Sequence, residues 1–212
     1  MFDTMNTAHA SCEEVHGFWF ADTLSDPDAA GTRSAVWFGS SPQFDQQVRE
    51  GFEATIAAAA QGQLSEWENV PRSAVSLVIV LDQFPRNVYR NTAAAFERDG
   101  LALAITKRAV AAGYVDALTV PERAFLLMPY QHVENLVTAQ EGLRLFERVY
   151  NEAPASWRIF AKNTFQFARR HLEIIERFGR FPHRNSIMGR RSTAAEREYL
   201  ESKPETFGQG GG

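Results

Sequence analysis

Apolar residues recur at helical spacing through most of this chain, which leaves little room for a β fold. Behind Ser41 and Pro42, which supply an N-cap and a first-turn proline, Phe44, Val48, Phe52 and Ile56 repeat every four residues. Leu101, Ile105 and Ala109 do the same after Asp99 and Gly100, in a helix running to Ala112, and Gly113 follows as a left-handed terminator. The stripe Trp157, Phe160, Thr164, Phe167, His171, Ile174 or Ile175 and Phe178 marks a long helix from Ser156 to Phe178. Ser11 can cap a helix that opens with Glu13 and Glu14 and ends in Phe18, Trp19 and Phe20. Thr193 and Glu196 form a capping box for a last helix ending near Glu201.

Between these segments the signals are mixed. The stretch after Phe20, rich in Asp, Gly, Pro and Ser, reads as a loop up to Ser41. From Pro71 to Phe84 the run of Val75, Leu77, Val78, Ile79, Val80 and Leu81 has the composition of a buried strand. A lone strand would have no ladder partner for its backbone, so a helix buried on all sides is expected instead. Pro121 opens a helix that Pro129 should interrupt, and another should run from about His132 to Tyr150. The expected fold class is all-α, with seven to eight helices packed as antiparallel pairs. No clean internal repeat of about 30 to 50 residues stands out. Residues 1–10 and 204–212 have no apolar period and are expected to be flexible, flanking a single all-α domain over 11–203.

Composition excludes some functions. Val75 to Leu81 is far shorter than the ~20 apolar residues that span a bilayer. With no leader-like N-terminus either, no membrane association and a cytoplasmic location are expected. Cys12 is the lone cysteine, so neither an internal disulfide nor a Cys-based zinc cluster can form. A net charge of -4 gives no bulk attraction to nucleic acid. The signatures of P-loop, dinucleotide, Gly-x-Ser-x-Gly and His-Glu-x-x-His sites are absent, and no cofactor or metal is expected. One bias is positive: of 22 basic residues only Lys107, Lys162 and Lys203 are lysine, the rest being arginine, whose planar fork suits carboxylate and phosphate.

Three polar stretches could carry chemistry. In Asp82-Gln83-Phe84-Pro85-Arg86-Asn87, which should close the apolar helix, Asp82 opposes the helix dipole and needs a cationic partner, which Arg86 or a C-terminal arginine could supply. A helix-stabilising ion pair is the plainer role for it. In Pro129-Tyr130-Gln131-His132-Val133-Glu134-Asn135, His132 and Glu134 either cap the next helix or converge on a proton or a metal in an irregular turn. The third stretch contains His171 on the inward stripe, then Arg180, His183, Arg184 and Asn185 in a basic, arginine-rich segment. An inward histidine is commonly a satisfied core residue. Phe84-Pro85-Arg86-Asn87 is echoed by Phe181-Pro182-His183-Arg184-Asn185, which fits a shared way of stopping a helix.

The same stretches resemble a bacterial family, domain of unknown function 924. The likeness rests on Phe18-Trp19-Phe20, Trp37-Phe38, Leu81 through Asn87, Phe96 with Asp99, Pro129 with His132 and Glu134, and His171 through Gly189-Arg190 with Ser192-Thr193. It covers roughly Val15 to Leu200 and implies an all-α, tetratricopeptide-like right-handed array with no established activity.

Together these readings point to a polar cleft that binds a small anionic ligand, a carboxylate or a phosphate. Arg86, Asn87, Glu134, Arg180, His183, Arg184 and Asn185 would bind it, and Asp82, His132 and His171 would orient it or move protons. Whether the chain is an enzyme is left open. The alternative is a non-catalytic module whose concave helical surface holds a peptide or protein segment. A metal site built from His132, Glu134, His171 and His183 ranks last, because no two of them have helical ligand spacing.

Overall fold

The computed structural model describes residues 9–202, 204, 206 and 207. Its elements are α1 (Cys12–Phe20), α2 (Pro27–Phe38), α3 (Pro42–Ala60), α4 (Pro71–Val78), α5 (Phe84–Val88), α6 (Asp99–Ala111), α7 (Val120–His132), α8 (Leu136–Glu152), α9 (Arg158–Phe178) and α10 (Ala194–Glu201). A π turn over Ile79–Gln83 joins α4 to α5, so the described residues form nine helical rods and no strand. None of those helices is long and apolar enough to cross a membrane. The terminal expectations over 1–8, 203, 205 and 208–212 lie outside the described residues.

Local chemistry sets many of these boundaries. Ser11 accepts from the Glu14 amide while Glu14 reaches back to the Ser11 amide, and Thr193 and Glu196 repeat that capping box at α10. Ser41 caps α3, Gly113 adopts φ 77° after α6, and Gly179 adopts φ 70° to close α9. The buried run after Pro71 is helical, with every residue from Ala74 to Pro85 buried.

Three expectations are corrected. The segment after Phe20 is not all loop, because Asp26 accepts from the amides of Asp28 and Ala29 and starts α2 at Pro27. Glycine, threonine and serine in that helix hide it from propensity. Tertiary contacts hold it: Trp37 is buried in the core, and the Arg33 guanidinium donates to the carbonyls of Phe18 and Trp19 at 2.5 and 3.2 Å, satisfying the end of α1.

Pro129 does not break α7. A proline inside a helix costs about 3 kcal/mol, yet α7 is buried on nearly every face and packs on α4, α6, α8 and α9, so packing outweighs the lost bond. The carbonyl of Leu126 there takes a hydrogen bond from buried Thr106 at 3.0 Å. His132 therefore ends α7 rather than starting α8, whose N-cap is Asn135, accepting from the Thr138 amide.

The helix through Asp82 also continues beyond Phe84. In the π turn the Phe84 amide reaches back to the Ile79 carbonyl, widening the helix just where Pro85 has no N–H to donate. The carbonyl of Asp82 also accepts from the Arg86 guanidinium. The two Phe-Pro strings thus differ, since Phe84-Pro85 lies within a helical rod and Pro182–Arg184 is a short 3-10 turn.

The core is aromatic. Trp19 meets Phe125 edge-on with centroids 5.3 Å apart, and Trp37 and Phe84 close around the same pair, contacts worth about 0.5–1.5 kcal/mol each beyond simple burial. A smaller apolar cluster of Ile174, Ile175 and Phe181, joined by Phe178, Tyr199 and Phe207, anchors the segment after α9. That segment lies beside the C-terminal end of α7, where the polar stretches meet.

Candidate functional site

Three helical faces supply the polar residues. Gln83, Arg86, Asn87 and Arg90 are spaced i, i+3, i+4 and i+7 along and just beyond α5. Met128, Gln131 and His132 share one face at the end of α7, and Thr164, Phe167 and His171 share one on α9. The turn after α9 adds His183 and Arg184. All of these residues line one cavity of about 290 Å³, together with Trp37, Phe38 and Phe207.

Behind this wall stand three carboxylates, and none of them lines the cavity. Asp82 is wholly buried, with its Oδ1 2.8 Å from His132 Nδ1 and 3.2 Å from Arg86 Nη1, while Gln83 donates to its Oδ2 at 2.5 Å. Asp99 accepts from Arg86 at 2.8 Å and from Arg184 at 3.4 Å. Asp45 accepts from both nitrogens of the Arg90 fork and from Asn87, each at 2.8 Å. Every guanidinium on the wall is therefore held from behind by an acid, which fixes its direction.

The segment after α9 is tied down separately. Glu134 takes the two Arg190 nitrogens at 2.5 and 2.9 Å and the Phe181 amide at 2.8 Å, which places the His183-Arg184 turn against the end of α7. Arg184 donates to the His132 carbonyl at 3.0 Å and lies between the rings of Phe96 and Phe181, 4.3 and 4.4 Å from their centroids. Arg180 is paired with Glu196 at 2.6 and 2.8 Å.

Burial decides the protonation states. Removal from water lowers the basicity of all three cavity histidines. For His132 the adjacent Arg86 charge adds to this, and Asp82 offsets it only in part. His171 falls well below its ordinary value, first through burial and then because a charge on it would face the His132 ring, and His183 is pushed down to about 3 by burial and then Arg184. All three imidazoles are neutral at neutral pH. Burial also lowers Arg184 to about 10, so it remains a cation there. Burial alone would raise Asp82, but Arg86, then His132 and the hydrogen bonds to it outweigh that and hold it ionised.

Tautomers follow from the partners. A carboxylate oxygen and a backbone carbonyl only accept, so His132 Nδ1 donates to Asp82, and His171 Nδ1 donates to the Phe167 carbonyl at 2.8 Å. Both neutral rings then carry their lone pair on Nε2.

Of the ten residues singled out from sequence, Arg86, Asn87, His132, His171, His183 and Arg184 line the cavity, and Asp82 supports it from behind. Glu134 and Arg180 instead make ion pairs that fold the C-terminal segment, and Asn185, buried, donates to Ser192 at 3.1 Å. Neither His132 nor Glu134 caps α8; Asn135 does. Among the described residues no three His, Cys, Asp or Glu side chains gather as a metal site. Sequence reasoning missed Gln83, Arg90 and Gln131. For Gln83 and Arg90 the signal was their helical spacing with Arg86 and Asn87, hidden by ending the helix at Phe84.

The comparisons with known proteins agree on kind. A family model described as a bacterial protein of unknown function (DUF924) matches residues 15–204. The chain is similar to a solved structure from Agrobacterium tumefaciens, titled as the protein of unknown function ATU0120, with a TM-score of 0.76 and 30% identity over 90% of this chain and 97% of that one. Among curated proteins nothing matches.

Proposed function

This chain belongs to the DUF924 family of bacterial proteins of unknown function, and from that premise we propose that its cavity binds a small anion, a carboxylate or a phosphate, carrying an apolar group. The observation that carries this reading is the composition of the wall. Among the described residues that line it, three guanidiniums, three neutral imidazoles and three side-chain amides face about 290 Å³ of space with no carboxylate, alongside Trp37, Phe38, Met128 and Phe167. Donors held rigidly from behind suit an acceptor ligand, and the aromatic side suits a ring or short chain. The frame in this reading is a tetratricopeptide-like array of antiparallel helices. Its support is that α7, α8 and α9, successive in the chain, pack on one another in turn.

A thermal-shift measurement with benzoate and with phenyl phosphate tests it. A ligand at about 100 times its Kd stabilises the native state by about 2.7 kcal/mol, or roughly 5–10 °C in Tm for a chain of this size. Arg90→Gln, which keeps an amide to donate to Asp45, should shrink that rise. No rise with either anion overturns the reading and favours the peptide- or protein-binding alternative.

A further inference from the structure

The cavity contains one arrangement that ligand binding alone does not require. We infer that Asp82 and His132 form an acid–base dyad in which His132 Nε2 takes a proton from a water molecule, hydrolysing an ester whose anionic end rests on the guanidiniums. This deepens the anion-site reading and rests on it.

Geometry separates His132 from the other two imidazoles. Its Nδ1–H is fixed on a carboxylate 2.8 Å away, so its orientation is set and the positive charge it gains on accepting a proton meets Asp82. His171 Nδ1–H is fixed on a peptide carbonyl, a much weaker stabiliser of an imidazolium, and its ring is stacked on Phe207 at 3.8 Å. His183 Nδ1 is buried with no partner among the described residues, so nothing there supports a gained charge. His132 lines the cavity, and no described residue hydrogen-bonds its Nε2. Burial and the Arg86 charge keep the ring deprotonated at neutral pH, the state a base must start from. Asp82 is a positioning residue in this scheme, since it does not touch the cavity.

The step needs only water as co-reactant. One O–H bond breaks and its proton goes to His132 Nε2, while the oxygen lone pair forms the new bond to the ester carbonyl carbon. The carbonyl π pair moves to its oxygen and then returns as the bond to the leaving ester oxygen breaks. That oxygen takes the proton back from the imidazolium, giving a carboxylic acid and an alcohol or phenol with the dyad restored.

The test uses 4-acetoxybenzoate, whose ring and carboxylate match the two sides of the cavity and whose para carboxylate cannot reach its own ester. Wild-type protein should hydrolyse it with kcat/KM rising to a plateau as one group with a pKa below 6.5 loses its proton. His132→Gln, whose amide can still donate to Asp82, should lose about 100-fold or more. Asp82→Asn should reduce the rate and, by offering an amide N–H, shift His132 toward the Nε2–H tautomer. In wild-type protein, ¹⁵N shifts should report His132 as neutral with the proton on Nδ1, a readout that needs no variant to fold. No hydrolysis above buffer, an unchanged rate in folded His132→Gln, or an Nε2–H tautomer in wild type overturns the dyad. Calorimetry with 4-hydroxybenzoate separates the two claims. Binding without His132-dependent hydrolysis leaves the anion site and removes the base; hydrolysis without binding of 4-hydroxybenzoate does the reverse.

Discussion

His132 Nδ1 lies 2.8 Å from Asp82 Oδ1 although fifty positions separate the two residues, and the pair ties the end of α7 to the π turn between α4 and α5. Asp82 is wholly buried and also holds Arg86 and Gln83. Its removal takes one carboxylate away from Arg86, which Asp99 also holds, and takes the acceptor away from the His132 Nδ1–H at a wholly buried position.

Asp82→Ala should therefore destabilise the fold by about 3–5 kcal/mol, the range for breaking a buried ion pair from one side. Urea denaturation at neutral pH measures it. A loss under about 1 kcal/mol would show that Arg86 and His132 are adequately compensated without the Asp82 carboxylate.

Stability should fall on acidification well before the carboxylates titrate. Folding lowers the His183 pKa to about 3, through burial and then Arg184, so below the ordinary histidine range the unfolded chain takes up a proton that the native chain refuses. Its contribution is complete above about pH 6.5 and drains away as the pH falls, by about 2 kcal/mol at pH 5. His132 and His171, lowered mainly by burial, act in the same direction. Urea midpoints across this range should slope downward toward acid, and His183→Gln should make the slope shallower.

Gly142 is required by contact rather than by backbone geometry. A Cβ there would lie 2.5 Å from the Cβ of Tyr130, where α8 crosses α7. Gly142→Ala gains helix propensity yet should lower stability by about 1–3 kcal/mol through overpacking, seen as a drop in Tm. A rise in Tm would mean that the two helices separate easily.

Glu134 clamps the segment that brings His183 and Arg184 to the cavity. Glu134→Gln loses the charge facing Arg190 and should cost about 1–3 kcal/mol. Hydrogen exchange should then quicken around Phe181 to Arg190 with α3 and α4 unaffected. Unchanged protection in that segment would show that Arg184, between its two aromatic rings, anchors it without Glu134.

Arg184→Met tests that anchor from the other side. The thioether can fill the gap between Phe96 and Phe181 but cannot reach Asp99 or the His132 carbonyl, so a loss of about 2 kcal/mol or more is expected from unpaired buried groups. Thermal unfolding beside wild type gives the answer.

Helices that carry their own signals are legible in the amino-acid sequence. Ser41-Pro42 before a four-residue apolar period, Gly113 at a helix end, and Thr193 with Glu196 act within a turn of where they stand, so the helices and caps they mark can be read without the rest of the chain. The run from Val75 to Leu81 could also be assigned, since an unpaired strand has nowhere to send its backbone bonds. Six of the residues that line the cavity were legible in sequence as well, because charged and imidazole groups beside buried apolar runs need partners. The rest follows from long-range contacts made in the folded chain. α2 exists because Arg33 and Trp37 find α1 and the core, and α7 passes through Pro129 because four neighbouring helices repay the lost hydrogen bond. Glu134 and Arg180 look like ligand groups in sequence, and only the folded chain reveals Arg190 and Glu196 beside them. The cavity itself is a relation among α5, α7, α9 and the turn after α9, set by long-range packing that no local period encodes.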